Sequence, residues 1–345
     1  MTPLPHQDLD HVLDYTAELW SDLRGRHLLV TGGTGFFGRW LVETFLWAEK
    51  RLSLQAHMTV LTRNPEHFLA TAPHLAHAPA LRLIQGDICT FPKLPDDASL
   101  LIHGAATVGA TTDPPGNLDT WNTLVHGTQH LLELARAHRV SNMLFISSGA
   151  IYGKQPPDMA QLSETFTGAP DLTTDMSAYG EGKRAGEMLC ALYASAFGLP
   201  IKIARCFAFV GPHLPLDGKF AVGNFIRDAM AGGPIRITGD GASIRSYLHA
   251  ADLSIWLWTI FLRGQTLRPY NVGSAHALTI LEVAEGVARA FMPPPEVRVA
   301  QIERSEVARS IYVPDVTRAQ AELGLQETIT FRDAIARTIQ WLKSK

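Results

Sequence analysis

The feature that most constrains this sequence is a regular alternation of short apolar runs with helix-length segments over its first 210 residues. The apolar runs lack the period-2 alternation of a strand that is exposed on one face. Such runs are typical of parallel strands covered by helices on both faces, so the pattern predicts a doubly wound α/β fold of Rossmann type. The predicted strands are HLLVTGG, MTVLTR, LRLIQGD, SLLIHGAA, NMLFISSG and IKIARCFAF.

The remainder of the chain has a different texture. After residue 210, turn-rich segments alternate with short helices and strands, which indicates a smaller, mixed α/β lobe. We therefore divide the chain into an N-terminal amphipathic helix in 1–24, a doubly wound domain in 25–210 and 247–274, and a second lobe in 211–246 and 275–345. The apolar stripe of the first helix predicts that this helix packs on the body of the protein.

Composition and charge argue against several classes of partner. The chain has 33 acidic and 30 basic residues, and its net charge of −3 offers no basic surface for nucleic acid or for a membrane. The longest apolar run, LSIWLWTIFL, is too short to span a bilayer, and the first residues do not resemble a secretory signal. Scattered cysteines and histidines predict no disulfide framework and no metal site, so a reducing cytoplasm is the expected compartment.

A glycine-rich turn, VTGGTGFFGRW, joins the first predicted strand directly to the first predicted helix. In such a turn Gly32 permits a tight bend, Gly35 lets the backbone approach a pyrophosphate, and Gly38 lets the helix pack closely on the strand. The N–H groups at the start of the helix, near Phe36 and Phe37, then face the phosphates. This context predicts a binding site for a dinucleotide cofactor.

Residues after the second and third strands bear on which dinucleotide binds. An acidic residue after the second strand would hold the ribose 2′-hydroxyl of NAD, but this chain has Thr62 there, followed by Arg63. Arginine suits the 2′-phosphate of NADP, so we expect NADP or NAD with a slight preference for NADP; a solvated surface role explains Arg63 equally well. Asp87 and Ile88 follow the third strand, where they would meet the adenine edge, although Asp87 equally suits the cap of a turn.

A hydroxyl, a phenol and an amine are predicted to meet beside the nicotinamide. The segment FISSGAIYG, with Ser147 and Ser148, lies at the end of the fifth predicted strand, and ligands of doubly wound sheets bind at the carboxyl ends of such strands. Tyr179 and Lys183 lie one turn apart in SAYGEGK, at the start of the next long helix. Two glycines lie between them at a cost of about 1 kcal/mol each relative to alanine, so helix stability alone does not explain this segment.

These segments resemble, in content and in order, the extended short-chain dehydrogenases/reductases, which include nucleotide-sugar epimerases, dehydratases, decarboxylases and reductases. The resemblance implies that Tyr179 is the acid–base group, that Lys183 stabilises its phenolate and holds the nicotinamide ribose, and that Ser148 orients the sugar oxygen. It covers about residues 25–340 and rests on TGGTGFFG, HGAA, SSGAIYG, YGEGK, RCFAFVGP, GDGASIRSYLHAADL and YNVGS.

The resemblance also implies further contacts and an assembly. Arg245 matches an arginine that grips the diphosphate of a nucleotide-diphosphate sugar, Asn224 matches a phosphate or sugar contact, and Ala105 in HGAA lies beside the cofactor. Members of the family form homodimers through a four-helix bundle, which segments 118–139 and 179–197 would supply here. The apolar residues of these two segments include Leu124, Leu131, Leu132, Met188, Leu192 and Tyr193.

The two residues after Ser148 indicate which reaction to expect. In the 4,6-dehydratases that the chain resembles, Asp and Glu follow the hydroxyl residue, and the decarboxylases have a glutamate at the second position. Gly149 and Ala150 stand here, and neither can transfer a proton. We therefore expect hydride transfer at the sugar C4 alone, by an epimerase or, as the alternative that Arg63 favours, by an NADPH-dependent 4-keto-sugar reductase. A 4,6-dehydratase is disfavoured, and so is a non-catalytic NADP-binding sensor, because the tyrosine and the lysine are both retained.

Overall fold

The computed structural model describes residues 2–106, 114–218, 220–300 and 309–344. Along these residues the strands are β1 (His27–Thr31), β2 (His57–Thr62), β3 (Leu81–Gln85), β4 (Ala98–His103), β5 (Asn142–Ser148), β6 (Ile201–Cys206), β7 (Phe209–Val210), β8 (Ile235–Ile237), β9 (Ile244–Arg245), β10 (Leu248–His249), β11 (Pro269–Val272), β12 (Leu278–Thr279), β13 (Val297–Val299) and β14 (Ile311–Tyr312). The α-helices are α1 (His6–Tyr15), α2 (Phe36–Leu52), α3 (Pro65–Thr71), α4 (Pro114–Ala137), α5 (Ala178–Phe197), α6 (Ala221–Met230), α7 (Ala250–Arg263), α8 (Ile280–Ala288), α9 (Thr317–Leu323) and α10 (Phe331–Lys343).

Seven parallel strands form the central sheet, in the order β11–β6–β5–β4–β1–β2–β3. The chain builds β1, β2 and β3 toward one edge and then returns to place β4 on the other side of β1. The strand order therefore reverses between β1 and β4, and ligands of such sheets bind outside the carboxyl ends at this point. The predicted doubly wound fold is confirmed, and β11 is a strand of the sheet that the sequence pattern did not predict.

Helices cover both faces of this sheet, which explains why its strands are apolar throughout. β1 is buried at all five positions. The apolar residues of α2 and α7 pack on one face and those of α4 and α5 pack on the other. The apolar run LSIWLWTIFL lies in α7, where Trp256 and Trp258 are fully buried. None of the described helices is long and apolar enough to cross a membrane.

The N-terminal helix α1 lies on α2 and α7 and is tied to the body of the protein. The helix residues Leu9 and Val12 are buried. Asp8 accepts a hydrogen bond of 2.7 Å from Arg337 in α10. Just before the helix, the backbone N–H of Leu4 donates to the buried carboxylate of Glu43 in α2 at 2.8 Å. The segment therefore contributes to the same core as the doubly wound domain.

Short strands and helices accompany the central sheet in the second half of the chain. β8 pairs with β13, and β9 lies between β12 and β14 in a three-stranded sheet. α6 and α8 contact each other and β8, whereas α9 contacts β11 and α10 contacts β10. The division of the chain into a doubly wound domain and a substrate lobe stays a prediction.

Only some of the apolar residues that were expected to form a dimer surface on α4 and α5 are exposed. Most of the residues expected there are buried within the protein instead; these are Leu124, Leu131, Leu132 and Tyr193. Met188 and Leu192 are exposed, by 61% and 56% respectively. Two further apolar side chains, Leu118 and Phe197, are exposed on the same pair of helices.

Glycines allow α5 to lie unusually close to its neighbours. A Cβ atom at Gly180 would lie 2.8 Å from the carbonyl oxygen of Ala150, and one at Gly186 would lie 2.6 Å from the ring of Phe145 in β5. A Cβ atom at Gly182 would likewise meet Leu124 of α4 at 2.9 Å. Close packing therefore explains the glycines that helix propensity disfavours, and it brings the start of α5 to the end of β5.

Replacement of Gly186 by alanine is expected to lower the free energy of unfolding by about 1–2 kcal/mol. The added methyl group would press on the Phe145 ring at 2.6 Å, which costs about 2–3 kcal/mol, the upper part of the range for an overpacked core, while alanine regains about 1 kcal/mol of helix propensity. Urea denaturation measures the difference. Gly239→Ala is the control, because no atom lies within 4 Å of a Cβ atom there. An unchanged or raised stability of Gly186→Ala would contradict the close packing of α5 on β5.

Candidate active site

The glycine-rich turn between β1 and α2 presents bare backbone at the point where the strand order reverses. Gly32 has a φ of +75°, and a Cβ atom there would lie 2.4 Å from the carbonyl group of Gly104, which follows β4. A Cβ atom at Gly38 would lie 2.3 Å from the Gly32 carbonyl oxygen. No side chain fits at either position. These two glycines therefore allow the tight turn and the close packing of α2 on β1 that the sequence pattern predicts.

The first turn of α2 supplies hydrogen-bond donors at the same place. Gly35 is the N-cap of the helix, and Phe36 and Phe37 are its first residues. N–H groups in a first helical turn have no partner within the helix and favour an anion. The ring of Phe37 packs edge-on against Phe209 with 5.0 Å between centroids, so its side chain belongs to the protein interior. The residues of this turn therefore suit a dinucleotide phosphate through their backbone.

The residues expected around the adenosine half of the cofactor differ in their exposure and in their hydrogen bonds within the protein. Thr62 ends β2, and its hydroxyl accepts a hydrogen bond from the Asn64 N–H at 3.3 Å. Arg63 is exposed, and among the described residues it forms no ion pair. Asp87 accepts a hydrogen bond of 2.8 Å from the Cys89 N–H, so it caps a turn.

Two further residues expected beside the cofactor lie near the strand ends. Ile88 is buried, and its side chain approaches α4 at Gly127, where a Cβ atom would meet it at 2.7 Å. The N–H of Ala105 donates to the Thr31 hydroxyl at the end of β1 at 3.3 Å. Ala105 thus lies beside the glycine-rich turn, whereas the Ile88 side chain is committed to helix packing.

Ser148, Tyr179 and Lys183 meet at the carboxyl end of β5. Ser148 is the last residue of β5, and its hydroxyl accepts a hydrogen bond of 3.2 Å from the Ala150 N–H. Tyr179 lies in the first turn of α5, close enough for Ser148 to act on the pKa of its phenol. Lys183 lies one turn farther on and is 2% exposed; its ammonium group donates to the Ile146 carbonyl oxygen at 2.7 Å.

Burial controls the protonation of this centre. It raises the pKa of Tyr179 to about 12, although hydrogen bonding from Ser148 acts in the opposite direction. Burial also lowers the pKa of Lys183 to about 8. We expected the lysine to lower the pKa of the tyrosine, but the net shift goes upward because burial of the phenol outweighs the other effects. A further positive charge is therefore needed before Tyr179 can act as a base near pH 7.

A buried hydrogen-bond network distinguishes Ser148 from its neighbour Ser147. The Ser147 hydroxyl donates to Glu187 of α5 at 2.5 Å, and Arg205 of β6 donates to the same carboxylate at 2.7 Å. Arg205 also donates to the Tyr152 hydroxyl at 2.9 Å, which in turn donates to Asn271 of β11 at 2.8 Å. Ser147 and Arg205 thus hold the ends of the strands together, which leaves Ser148 to the site.

Tyr312 of β14 belongs to the same centre, although no sequence motif indicated it. Its hydroxyl oxygen lies 2.6 Å from the position of a Cβ atom at Gly149, and its ring stacks on Phe207 with 4.6 Å between centroids. Burial raises its pKa well above the usual value for tyrosine, and hydrogen bonding from Ser148 opposes that shift. The only sign of such a residue in the sequence is Gly149, because a glycine leaves space that a side chain from elsewhere in the chain can fill.

The two residues expected to contact a nucleotide sugar are hydrogen-bonded within the protein. Arg245 of β9 donates to the Ile244 and Ser310 carbonyl oxygens at 2.8 and 2.9 Å. It is paired with Tyr312 across the β9–β14 ladder, which connects it to the Ser148 centre. Asn224 of α6 donates to the Gly218 carbonyl oxygen at 3.1 Å. Their roles toward a substrate stay predictions.

Two groups of histidines outside the Ser148, Tyr179 and Lys183 set are hydrogen-bonded to protein side chains. His103 of β4 is buried between the hydroxyls of Thr31 and Thr128, at 2.7 and 2.9 Å, and burial lowers its pKa to about 3. At the amino ends of the strands, His27 and His57 hold the Asp97 carboxylate at 2.6 and 3.0 Å. The ligand atoms of that second group lie within 4.8 Å of one another, and direct hydrogen bonds account for the arrangement.

Sequence comparison assigns the family. A profile described as the NAD dependent epimerase/dehydratase family matches residues 28–273, which include the glycine-rich turn and the Ser148, Tyr179 and Lys183 centre. The chain belongs to this family. It is accordingly an enzyme of an NAD-dependent family, and the expected nicotinamide dinucleotide cofactor is confirmed. The slight preference for NADP that Arg63 suggested stays a prediction.

Similar proteins act on nucleotide sugars in more than one way. UDP-glucuronic acid decarboxylase 6 of Arabidopsis thaliana is 28% identical over 309 residues, which cover 89% of this chain and 86% of that protein. The dTDP-glucose 4,6-dehydratase of Streptomyces niveus is 27% identical over 322 residues, which cover 92% of each chain. The solved structure of MoeE5 in complex with UDP-glucuronic acid and NAD is 26% identical, with a TM-score of 0.75 over 92% of this chain and 99% of that one.

Proposed function

We propose that this enzyme is a nucleotide-sugar epimerase that transfers a hydride at the sugar C4. One observation carries the proposal: the Ser148, Tyr179 and Lys183 centre is present, while Gly149, the first of the two positions where an acid was sought, has no room for a side chain. A side chain at Gly149 would collide with Tyr312 at 2.6 Å and with Phe207 at 2.7 Å. Elimination of water needs groups that move a second proton, and neither Gly149 nor Ala150 carries a side chain that can do so.

Carboxylates elsewhere in the described residues do not substitute for the missing acids. The titratable group that acts on the pKa of Tyr179 is Cys206, and those that act on the pKa of Tyr312 are Tyr179, Cys206 and Arg245; none of them is an Asp or a Glu. Glu187 of α5, which acts on Lys183, is paired with Arg205 at 2.7 Å. The site is therefore equipped for one proton transfer at one oxygen, which is what hydride exchange at a carbinol carbon requires.

The residues of the chain divide the work of such a reaction. The backbone of the turn at Gly35 and the N–H groups at the start of α2 would hold the pyrophosphate of the cofactor, and Lys183 the nicotinamide ribose. When bound, the cofactor supplies the acceptor and the donor of the C4 hydride. Tyr179 takes the proton of the C4 hydroxyl and later returns it, Ser148 hydrogen-bonds the same oxygen, and the Lys183 charge stabilises the phenolate in between.

A 4-keto-sugar reductase is the second candidate, and Arg63 favours it. This side chain is exposed just after β2, where a 2′-phosphate would lie, and it forms no ion pair with the described residues. A reductase consumes NADPH and must exchange it freely, whereas an epimerase regenerates its cofactor at every turnover. The two candidates therefore differ in the cofactor that the protein retains.

Identification of the bound dinucleotide tests the proposal. The purified protein is denatured, the released dinucleotide is identified, and the native protein is then supplied with UDP-, GDP-, CDP- and dTDP-sugars. Retained NAD and interconversion of C4 epimers without added coenzyme would support the epimerase. Oxidation of added NADPH that depends on a 4-keto sugar would support the reductase. Formation of a 4-keto-6-deoxy sugar, or release of carbon dioxide from a uronic acid substrate, would overturn both.

Replacement of Arg63 by alanine separates the two cofactors. If Arg63 binds the 2′-phosphate, the Kd for NADPH is expected to rise about tenfold or more, because a charge-assisted hydrogen bond is lost, while the Kd for NADH stays the same. Titration of the nicotinamide fluorescence measures both constants. Arg82→Ala, which removes an exposed arginine of β3, is the control. Equal constants for wild type and Arg63→Ala would leave Arg63 as a solvated surface residue and would remove the support for the reductase.

We further propose that the protein acts as a homodimer in a reducing compartment. Exposed apolar side chains on two adjacent helices, namely Leu118, Met188, Leu192 and Phe197, form a surface that a second copy would cover. All three cysteines are free, as they would remain in the cytoplasm. A nucleotide-diphosphate sugar is the expected substrate, with Arg245 as the candidate diphosphate contact.

A further inference from the structure

Two imidazoles and a carboxylate meet at the amino ends of the central strands, the edge of the sheet opposite to the Ser148 centre. His27 and His57 are the first residues of β1 and β2, and Asp97 directly precedes β4. In the sheet His27 is in register with His57 on one side and with Ala98 on the other. Asp97 is 70 positions from His27 and 40 from His57, so only the fold brings the three side chains together.

The atoms that meet in this group are of the kind that bind transition metals. Nδ1 of His27 lies 2.6 Å from one oxygen of Asp97, and Nε2 of His57 lies 3.0 Å from the other oxygen. One ligand atom of each residue lies within 4.8 Å of those of the other two. Neighbouring ligands of a tetrahedral zinc ion are about 3.3 Å apart, so the two separations need to lengthen by less than about 1 Å. The Asp97 side chain is 60% exposed and is free to make that movement.

Thr59 of β2 holds the imidazole of His27 from its other side. The Thr59 hydroxyl lies 2.8 Å from Nε2 of His27, and this histidine is 2% exposed. The ring is therefore fixed with Nδ1 toward Asp97. A hydroxyl can donate or accept, so Thr59 suits His27 with its proton on either nitrogen. When Nδ1 binds a metal ion, Nε2 carries the proton and donates it to Thr59, which is the outer contact that orients metal-bound histidines.

We propose that His27, His57 and Asp97 bind one Zn²⁺ ion per chain, in a structural site that joins β1, β2 and the segment before β4. Two imidazoles and a carboxylate form a ligand set that zinc favours. The ion would take the place of the two hydrogen bonds that now join these side chains. The His57 side chain is 28% exposed, so water can reach the site and complete the coordination. Four steps along β1, about 13 Å, separate His27 from Thr31, so the ion takes no part in hydride transfer.

The charges near the three ligands act in both directions. Asp97 supplies a negative charge. Arg82 of β3, which is in register with Thr59, opposes a cation, but its side chain is exposed and solvent screens its charge. The neighbouring acid, Asp96, is paired with Lys93 at 3.1 Å and is 84% exposed. Asp96 therefore lies outside the ligand set, and it provides a matched control for Asp97.

Titration of the full chain with Zn²⁺ tests the proposal. The protein is first treated with a chelator, and zinc binding at pH 7 is then measured by competition with a chromogenic chelator. We expect one ion per chain for the wild type and for Asp96→Asn. Asp97→Asn keeps the shape of the side chain but removes a ligand charge, so the Kd should rise by more than about a hundredfold. Thr59→Val removes only the outer contact to His27, and the Kd should rise about 10- to 100-fold.

Thermal unfolding gives a second measurement that needs neither a dinucleotide nor a sugar. Zinc at about a hundred times its Kd should raise the Tm of the wild type and of Asp96→Asn by about 5 °C, because it binds the folded state, and should leave the Tm of Asp97→Asn unchanged. A wild-type Kd weaker than about 0.1 mM, or equal zinc affinities of wild type and Asp97→Asn, would overturn the proposal. An equal rise in the Tm of both proteins would do the same. These outcomes do not depend on the reaction that the enzyme catalyses.

Discussion

Replacing Tyr179 by phenylalanine is expected to lower kcat about a thousandfold, because general acid–base catalysis by a positioned side chain contributes about 10²–10⁴-fold. The phenol is the group at the end of β5 that can take a proton from the C4 hydroxyl, and Ser148 alone is too weak a base to replace it. The ring itself packs as before, so the fold and the affinity for the dinucleotide should not change. Turnover of a nucleotide sugar and binding of NAD are measured on the same preparation.

The control for this substitution lies on the same helix. Tyr193 is also in α5, and its hydroxyl donates to Glu133 of α4, away from the strand ends. Tyr193→Phe should therefore keep most of the activity. If Tyr179→Phe retained more than a tenth of the wild-type kcat, or if both variants lost activity equally, Tyr179 would not be the acid–base group.

The elements of the fold could be predicted because burial on both faces of a parallel sheet requires continuous apolar runs. Each of the six long runs became a strand, and α5 begins at Ala178 as its sequence indicated. β11 was not predicted, because its four residues, Pro269–Val272, are too few to show an apolar pattern. The start of α4 was also misjudged, since the helix begins at Pro114, where proline suits a first turn.

The site could be predicted only where its residues follow one another along the chain. Ser148, Tyr179 and Lys183 lie at the end of a strand and in the first turns of the next long helix, so a local pattern specifies them. Tyr312 reaches the same place through the pairing of β14 with β9, and no local pattern records that contact. The rise in the Tyr179 pKa could not be predicted either, because it depends on the burial of the phenol, which a sequence does not display.

Replacing Lys183 by methionine is expected to stabilise the protein while it removes activity. The ammonium group is 2% exposed, and burial lowers its pKa from 10.5 to about 8. Such a shift corresponds to a destabilisation of about 3 kcal/mol at pH 7, since the charged form is held in the folded state against its preference for water. Methionine has a similar length and no charge. Loss of the hydrogen bond to Ile146 offsets part of the gain, so a net increase of about 1–2 kcal/mol in the free energy of unfolding is expected.

The sign of the pH dependence follows from the direction of the Lys183 pKa shift. Because the folded-state pKa is the lower one, the unfolded chain binds more protons between about pH 8 and 10.5, and the stability of the wild type rises with pH across that window. Lys183→Met lacks this rise, so its advantage over the wild type should be largest below pH 8 and should disappear toward pH 10.5. Urea denaturation at several pH values measures the difference, with the exposed Lys93→Met as the control.

The catalytic activity of Lys183→Met should fall, although its stability rises. Burial holds the pKa of Tyr179 at about 12 even with Lys183 in place, so removal of the lysine charge should make the phenolate still harder to form when the cofactor is bound. We expect kcat/KM to fall about a hundredfold or more, which is the range expected when an acid–base group no longer has the pKa that catalysis requires. A variant that is less stable at pH 7, or equally active, would show that the lysine serves packing rather than chemistry. A variant that is more stable and inactive would show that the enzyme retains a destabilising buried charge because catalysis requires it.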